Sequence, residues 1–127
     1  LVADKLDAAA NTKVVDADKI PAGWIGVDIG PKTINHLTRE IHHAKTIVWN
    51  GPVGVFEMEP FAKGTQSVAE ALAHSGAVTV LGGGETAGAV EEYGLEEQMT
   101  HVSTGGGASL EFMEGQVLPG IAALDNA

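Results

Sequence analysis

The chain has 127 residues, a formal net charge of −10 and 44% hydrophobic residues, which is the composition of a globular domain and excludes a disordered chain. The acidic balance argues against nucleic acid and anionic membranes as partners, and no apolar run approaches the roughly 18 residues of a membrane-spanning helix. The absence of cysteine excludes disulfides, and a soluble, cytoplasmic protein is expected.

Short apolar runs alternate with amphipathic stretches in the first part of the chain, a pattern typical of an α/β fold. Residues 1–3 have the pattern of the end of a strand. Because a domain does not begin so abruptly, and Leu1 is not a methionine, the chain is expected to come from inside a longer polypeptide. A polar loop then leads to a second strand at 24–29. Thr33 is predicted to cap a helix over 33–45.

The rest of the chain contains three further strands, each followed by a helix. The strands are predicted at 46–49, 77–81 and 101–103, and the helices at 60–75, 85–93 and 108–114. All five strands of the chain are expected to be parallel. The predicted fold class is therefore α/β, with helices packed on a parallel sheet.

Two of the predicted strands lead into a triple glycine that opens a helix, Gly82-Gly83-Gly84 and Gly105-Gly106-Gly107. Glycine lets the backbone approach a ligand closely, and the N-terminus of the following helix favours phosphate. Residues 64–127 contain nine carboxylates and no lysine or arginine, so an anion there must be held by backbone N–H groups, by a metal or by basic residues from elsewhere. Alternatively, the glycines only permit tight turns and close packing of helix on sheet.

The common phosphate-binding and metal-binding motifs do not account for these turns. No lysine follows either triple glycine, so a Walker A loop is absent. The spacing of Gly82, Gly84 and Ala87 fits a dinucleotide fingerprint, but the carboxylate expected about 20 residues further on is missing. The five histidines do not have the spacing of a compact set of metal ligands.

A third glycine-punctuated loop follows the strand at 46–49. There Asn50 could donate its amide to a phosphate, and Glu57 could accept a hydrogen bond from a ribose hydroxyl. Val53 and Phe56 could flank a purine. Each residue also has a structural explanation: Asn50 as a turn former, Glu57 as a solvated charge and Phe56 as part of the core.

Three motifs, in order and at matching spacing, resemble the C-terminal part of phosphoglycerate kinase: 49–57 (WNGPVGVFE), 82–86 (GGGET) and 100–111 (THVSTGGGASLE). Residues 3–5, 23–33 and 118–120 match as well, so the resemblance covers essentially the whole chain. It implies a Rossmann-like, three-layer fold with helices on both faces of a parallel sheet. Residues 1–127 would form the C-terminal portion of the nucleotide-binding domain, with the N-terminal domain absent.

The resemblance also implies a reaction and its partners. The family transfers a phosphoryl group reversibly between 1,3-bisphosphoglycerate and ADP in glycolysis, giving 3-phosphoglycerate and ATP. This segment would bind Mg²⁺ with ATP or ADP, and the missing N-terminal domain would bring 3-phosphoglycerate or 1,3-bisphosphoglycerate. The full-length enzyme would be a monomer. The isolated fragment is expected to be inactive.

By position, the resemblance assigns a role to each candidate residue. The adenosine pocket would be lined by Gly26, Gly51, Val53 and Phe56, and Glu57 would hold the ribose. The phosphates would be bound by Asn50, Gly83, Gly84 and Thr86. The group in transit would be stabilised by Gly105, Gly106 and Gly107, so that the catalytic set is Gly84, Gly105 and Gly106.

Glu85 would serve the magnesium ion. The family usually has aspartate at this position, and glutamate is one methylene longer. Glu85 would therefore bind the metal either directly, from a retracted conformation, or through a water molecule. In the alternative reading of the whole chain, a stand-alone α/β module binds a nucleotide or phosphate without catalysis.

Overall fold

The computed structural model describes residues 1–124, so the last three residues of the predicted 1–127 segment lie outside the described part of the chain. The strands within it are β1 (Val2–Ala3), β2 (Thr12–Lys13), β3 (Ile25–Gly26), β4 (Thr46–Asn50), β5 (Val78–Gly82) and β6 (His101–Ser103). The helices are α1 (Pro31–His43), α2 (Lys63–His74), α3 (Gly84–Glu92), α4 (Gly106–Met113) and α5 (Pro119–Ala122).

A parallel sheet with the strand order β4-β5-β6 forms the centre of the fold. These three strands confirm the predictions at 46–49, 77–81 and 101–103 to within one residue. The register pairs Asn50 with Gly82, and Gly82 with Ser103. The carboxyl ends of the three strands therefore lie level with one another at one edge of the sheet.

The four predicted helices are confirmed, with shifted boundaries. Helix α1 begins at Pro31 with Gly30 as its N-cap, so the prediction that Thr33 caps this helix is wrong. Proline suits a first helical turn because the N–H it lacks would have no partner there. In the second predicted helix, Glu59–Phe61 form a separate 3-10 turn, and α2 begins at Lys63.

The prediction that all five strands are parallel is wrong for the first two. Strand β1 pairs antiparallel with both β2 and β3 in a separate three-stranded sheet, and only Ile25–Gly26 of the predicted strand 24–29 is a strand. A parallel crossover takes about a dozen or more residues, usually including a helix. The segment between β1 and β3 contains only the 3-10 turn Ala17–Lys19 and the short strand β2, so the chain returns antiparallel.

The main core lies on one face of the parallel sheet. Trp49 and Leu81 pack there against Leu72 of α2 and Val90 of α3, and α1 adds partly buried apolar side chains. On the opposite face α4 and α5 cover the sheet less completely, leaving a groove of about 550 Å³ lined by Val48 and Val80, among others. Helices thus lie on both faces of the sheet, as the predicted fold class requires.

No helix within residues 1–124 is long and apolar enough to cross a membrane.

Candidate functional site

Both triple glycines lie where a strand of the parallel sheet ends and a helix begins. Gly82 ends β5 and Gly83 is the N-cap of α3, while Gly105 is the N-cap of α4. Because β5 and β6 are neighbours in register, the two helices begin side by side at one edge of the sheet. The unpaired N–H groups of two helix N-termini therefore meet there, which favours an anionic ligand.

The two glycine turns are in contact with each other through Gly83 and Gly106. A Cβ on Gly106 would lie 3.0 Å from the Cα of Gly83. Gly83 has a φ of 97° and donates its N–H to the carbonyl oxygen of Ser103, at 2.9 Å. At these two positions, glycine is therefore required by packing or by backbone conformation, whether or not a ligand binds.

Gly84 and Gly107 differ from their neighbours in this respect. Both are exposed, and a Cβ added at either would have no atom within 4 Å. Neither has a positive φ, so neither packing nor backbone conformation demands glycine there. Free space beside the first turns of α3 and α4 is what the approach of a ligand to the backbone would need.

Asn50, at the end of β4, lies between the two turns. Its Nδ2 donates to the carbonyl oxygen of Gly106 at 3.3 Å, and its Oδ1 lies 3.0 Å from the position of a Cβ on Gly83. The side chain is exposed. Asn50 is thus placed at the predicted phosphate site, with part of its amide engaged by the protein.

The loop after β4 is fixed by two buried threonines. The N–H of Gly51 donates to Oγ1 of Thr86 at 2.7 Å, and the N–H of Val53 donates to Oγ1 of Thr65 at 3.3 Å. Both threonines are fully buried. Sequence reasoning missed Thr65; its only signal was a polar residue near the start of the apolar stripe of α2.

The predicted nucleoside residues are grouped less tightly. Phe56 and Glu57 line a cleft of about 410 Å³ together with Lys63 and Tyr93, and Glu57 is exposed. Gly26 lines a different groove. The loop carrying Phe56 still reaches the strand end beside Gly26, because the N–H of residue 55 donates to the carbonyl oxygen of residue 27 at 2.9 Å.

Sequence reasoning also missed Asp28. Its two carboxylate oxygens accept hydrogen bonds of 2.7 Å each, from the N–H of Ile29 and from the N–H of Gly64 near the start of α2. A Cβ on either Gly54 or Gly64 would overlap this carboxylate. Burial raises the pKa of Asp28 above its ordinary value, and the two N–H donors partly oppose that shift. Asp28 thereby joins the segment after β3 to the start of α2.

Glu85 is an exposed carboxylate in the first turn of α3, and it has no hydrogen bond or ion pair within residues 1–124. The part of the chain that the structure describes contains no group of three or more histidine, cysteine or acidic residues that could hold a metal ion. Magnesium is commonly held by one or two carboxylates together with substrate phosphates and water. The residues present therefore fit a magnesium ion that arrives with a phosphate ligand, and they do not form an all-protein metal centre.

Comparison with known proteins identifies relatives of the whole chain. A family model described as phosphoglycerate kinase matches residues 1–116. Phosphoglycerate kinase from Chloroherpeton thalassium is 60% identical over 130 residues, covering 100% of this chain and 33% of the relative. Phosphoglycerate kinase from Herpetosiphon aurantiacus is 56% identical over 126 residues, covering 99% of this chain and 32% of the relative.

Two solved structures that superimpose on this chain are also phosphoglycerate kinases. Phosphoglycerate kinase from Coxiella burnetii superimposes with a TM-score of 0.88 at 45% sequence identity, over 95% of this chain and 31% of that protein. Phosphoglycerate kinase from Pyrococcus horikoshii gives a TM-score of 0.73 at 46% identity, over 80% of this chain and 25% of that protein. The chain spans about a third of the length of the curated relatives it matches.

Proposed function

Because the chain belongs to the phosphoglycerate kinase family, we propose that it supplies the magnesium–nucleotide site of an enzyme that transfers a phosphoryl group between 1,3-bisphosphoglycerate and ADP. In this proposal residues 1–127 are the C-terminal portion of the nucleotide-binding domain, and the rest of the protein binds the phosphoglycerate. The observation that carries the proposal is the pair of exposed glycines, Gly84 and Gly107, which have no packing role beside two adjacent helix N-termini.

The phosphates of ADP or ATP would bind over the first turn of α3. The backbone N–H groups of Gly84, Glu85 and Thr86 lie in that turn and have no partner inside the helix. Asn50 would add a side-chain amide from the end of β4. At the start of α4, the N–H of Gly107 would stabilise the phosphoryl group in transit. Gly105 and Gly106 would shape this turn for it, since their own N–H groups donate to Oγ of Ser103 and to the carbonyl oxygen of Thr104.

The nucleoside would be held by the loop after β4. Gly51, Val53 and Phe56 would line the adenosine pocket with Gly26, and Glu57, which is exposed, would accept a hydrogen bond from the ribose. These contacts fix the position of the nucleotide relative to the start of α3. Positioning of this kind, together with charge stabilisation, accounts for most of the catalysis of phosphoryl transfer.

Glu85 would hold the magnesium ion that accompanies the nucleotide. When bound, magnesium neutralises negative charge on the phosphate oxygens. The carboxylate of Glu85 is also stabilised where it stands, because it lies at the positive end of the α3 dipole. The side chain is exposed and has no partner within residues 1–124, so it is free to turn toward the metal.

This chain by itself holds too little positive charge for tight binding of a polyanion. A helix N-terminus contributes roughly 0.3–1 kcal/mol, and up to about 2 kcal/mol in partly buried geometry. Even millimolar binding requires about 4 kcal/mol. Residues 64–127, which carry both glycine turns, contain nine carboxylates and no lysine or arginine. The remaining cations of the site would come from the rest of the protein.

The proposal is tested by comparing the chain alone with a completed enzyme, in which the chain replaces the matching third of the Chloroherpeton thalassium relative. The chain alone is expected to transfer no phosphoryl group and to bind Mg-ADP with a dissociation constant above about 1 mM. The completed enzyme is expected to form ATP from 1,3-bisphosphoglycerate and ADP in a coupled assay. A folded completed enzyme without transfer would contradict the proposal. Micromolar binding by the chain alone would contradict only the expectation that the remaining cations of the site come from the rest of the protein.

A further inference from the structure

We propose that Thr86 is a positioning residue whose buried hydroxyl holds the nucleoside side of the site at a fixed place relative to the phosphate side. The inference rests on the proposed function but gives the Thr86 side chain a role other than contact with phosphate. Thr86 lies in the first turn of α3, and its Oγ1 accepts a 2.7 Å hydrogen bond from the N–H of Gly51. The bond joins the helix that begins at the phosphate site to the loop that carries the nucleoside residues.

The Gly51 residue is held on both sides. Its N–H donates to Thr86, and its carbonyl oxygen accepts a 2.7 Å hydrogen bond from Nε1 of Trp49. Gly51 also has a φ of 95°, in the left-handed region that side chains other than glycine rarely adopt. Trp49 belongs to the main core, and Thr86 is fully buried, so both partners are themselves fixed. Rotation of Gly51 would break both bonds.

The position of Gly51 sets the position of the residues that follow it. The next hydrogen bond from this loop to a side chain, from the N–H of Val53 to Thr65, is longer, at 3.3 Å. The Thr86 bond is therefore the shorter of these two links. Without it, we expect Val53 to adopt a range of positions relative to α3, whereas the residue before Phe56 stays held by its backbone hydrogen bond to residue 27.

The burial of Thr86 separates its hydroxyl from the exposed side of the turn. Gly84 and Glu85, the two preceding residues, are exposed, whereas Thr86 has no exposed surface. A ligand that approaches the start of α3 from solvent meets Gly84 and Glu85 first. The hydroxyl faces the loop after β4, where it already accepts the N–H of Gly51.

The test compares Thr86→Val and Thr86→Ser in the completed enzyme. Valine has the same shape but cannot accept the hydrogen bond, which leaves the N–H of the half-buried Gly51 without a partner. Thr86→Val is expected to raise the KM for Mg-ADP about tenfold, with kcat changed less than about twofold. Competitive inhibition by magnesium tripolyphosphate, a probe without a nucleoside, is expected to stay within about twofold, because only the loop has moved. Thr86→Ser keeps the hydroxyl and is expected to restore the KM.

Thr79→Val is a matched control. Thr79 is also buried, and its Oγ1 accepts a 3.0 Å hydrogen bond from the N–H of Thr100, so the variant orphans a backbone donor in the same way. Thr79 lies near the start of β5, at the opposite end of this strand from the glycine turn. We expect Thr79→Val to lower the melting temperature about as much as Thr86→Val and to leave the KM for Mg-ADP unchanged.

Trp49→Phe is an independent variant, which keeps the inference testable if Thr86→Val does not fold. It removes the indole N–H that donates to the carbonyl oxygen of Gly51. Like Thr86→Val, it is expected to raise the KM for Mg-ADP and to leave inhibition by magnesium tripolyphosphate nearly unchanged. Equal weakening of both ligands by Thr86→Val would show that the hydroxyl contacts phosphate. A lower melting temperature with an unchanged KM would show a structural role only. Either result would overturn the inference.

The inference and the proposed function fail in different ways. Gly84→Ala is expected to weaken both Mg-ADP and magnesium tripolyphosphate if the phosphates bind at α3. If Gly84→Ala has no effect on either ligand, the proposed function is wrong. If Gly84→Ala weakens both ligands but Thr86→Val and Trp49→Phe leave the KM for Mg-ADP unchanged, only the role of Thr86 is wrong.

Discussion

Replacing Gly83 with alanine is expected to lower the melting temperature of the completed enzyme by roughly 4–8 °C, which corresponds to about 2 kcal/mol in a domain of 150–250 residues. The cause is the conformation of Gly83, whose φ of 97° is strained for a residue with a Cβ. The new Cβ would also lie 3.0 Å from Oδ1 of Asn50, which would have to shift. Thermal unfolding of the variant measures the loss.

Two other glycines of the same helix are matched controls. A Cβ on Gly84 or on Gly88 meets no atom within 4 Å, and alanine is the better helix former by about 0.5–1 kcal/mol. Neither Gly84→Ala nor Gly88→Ala should therefore lower the melting temperature. Gly84→Ala should still raise the KM for Mg-ADP at least about tenfold, because in the proposed site its methyl group would stand where the phosphates approach. Gly88→Ala, about one turn further along α3, should leave the KM unchanged.

These glycine variants separate the two explanations that the triple-glycine pattern allows. If Gly84→Ala and Gly88→Ala give the same KM, the first turn of α3 does not bind phosphate, and its glycines serve folding alone. If Gly83→Ala is as stable as the parent protein, the left-handed conformation of Gly83 and its close approach to Asn50 are wrong.

Replacing Glu85 with glutamine is expected to raise the magnesium concentration needed for half-maximal rate roughly 10- to 100-fold, the range seen when groups supporting a metal site are lost. Glutamine has nearly the same shape but lacks the negative charge that a hard cation prefers. Glu85→Asp keeps a carboxylate and should retain most of the magnesium affinity. The measurement is the rate of ATP formation as a function of free magnesium, at saturating ADP and 1,3-bisphosphoglycerate.

Glu91→Gln is the control for charge. Glu91 is an exposed glutamate in the last turn of the same helix, so the variant makes the same change in net charge away from the glycine turns. Its magnesium dependence should match that of the parent enzyme. If Glu85→Gln and Glu91→Gln behave alike, Glu85 has no role toward the metal and is only a favourable charge at a helix N-terminus.

The sequence predicted the parallel sheet well because its local signals agree. The strands β4 and β5 are short, mostly apolar runs that end in Asn50 and Gly82. The three-residue strand β6 is marked by the triple glycine that follows it and opens α4. When the hydrophobic pattern of a segment and its turn residues agree, few other secondary-structure assignments fit the sequence. The antiparallel sheet was predicted wrongly because its strands have only two residues each, too few for any periodicity to show.

The candidate site was predictable only in part. Motif spacing found Asn50 and the glycine turns, which the structure brings together at one edge of the sheet. Motif spacing could not distinguish Gly83 from Gly84. Packing and backbone conformation require glycine at position 83, but they do not require it at position 84. Asp28 and Thr65 were missed because their partners lie 36 and 12 residues away, and such contacts leave no local pattern.

The central claim is that the start of α3 binds the phosphates of the nucleotide. A crystal structure of the completed enzyme with Mg-ADP tests it most directly. The account predicts β-phosphate oxygens within hydrogen-bond distance, about 2.7–3.2 Å, of the backbone nitrogens of Gly84, Glu85 or Thr86, with the adenosine against Val53 and Phe56. Phosphates bound at another part of the protein, with Gly84 and Gly107 facing only water, would contradict it.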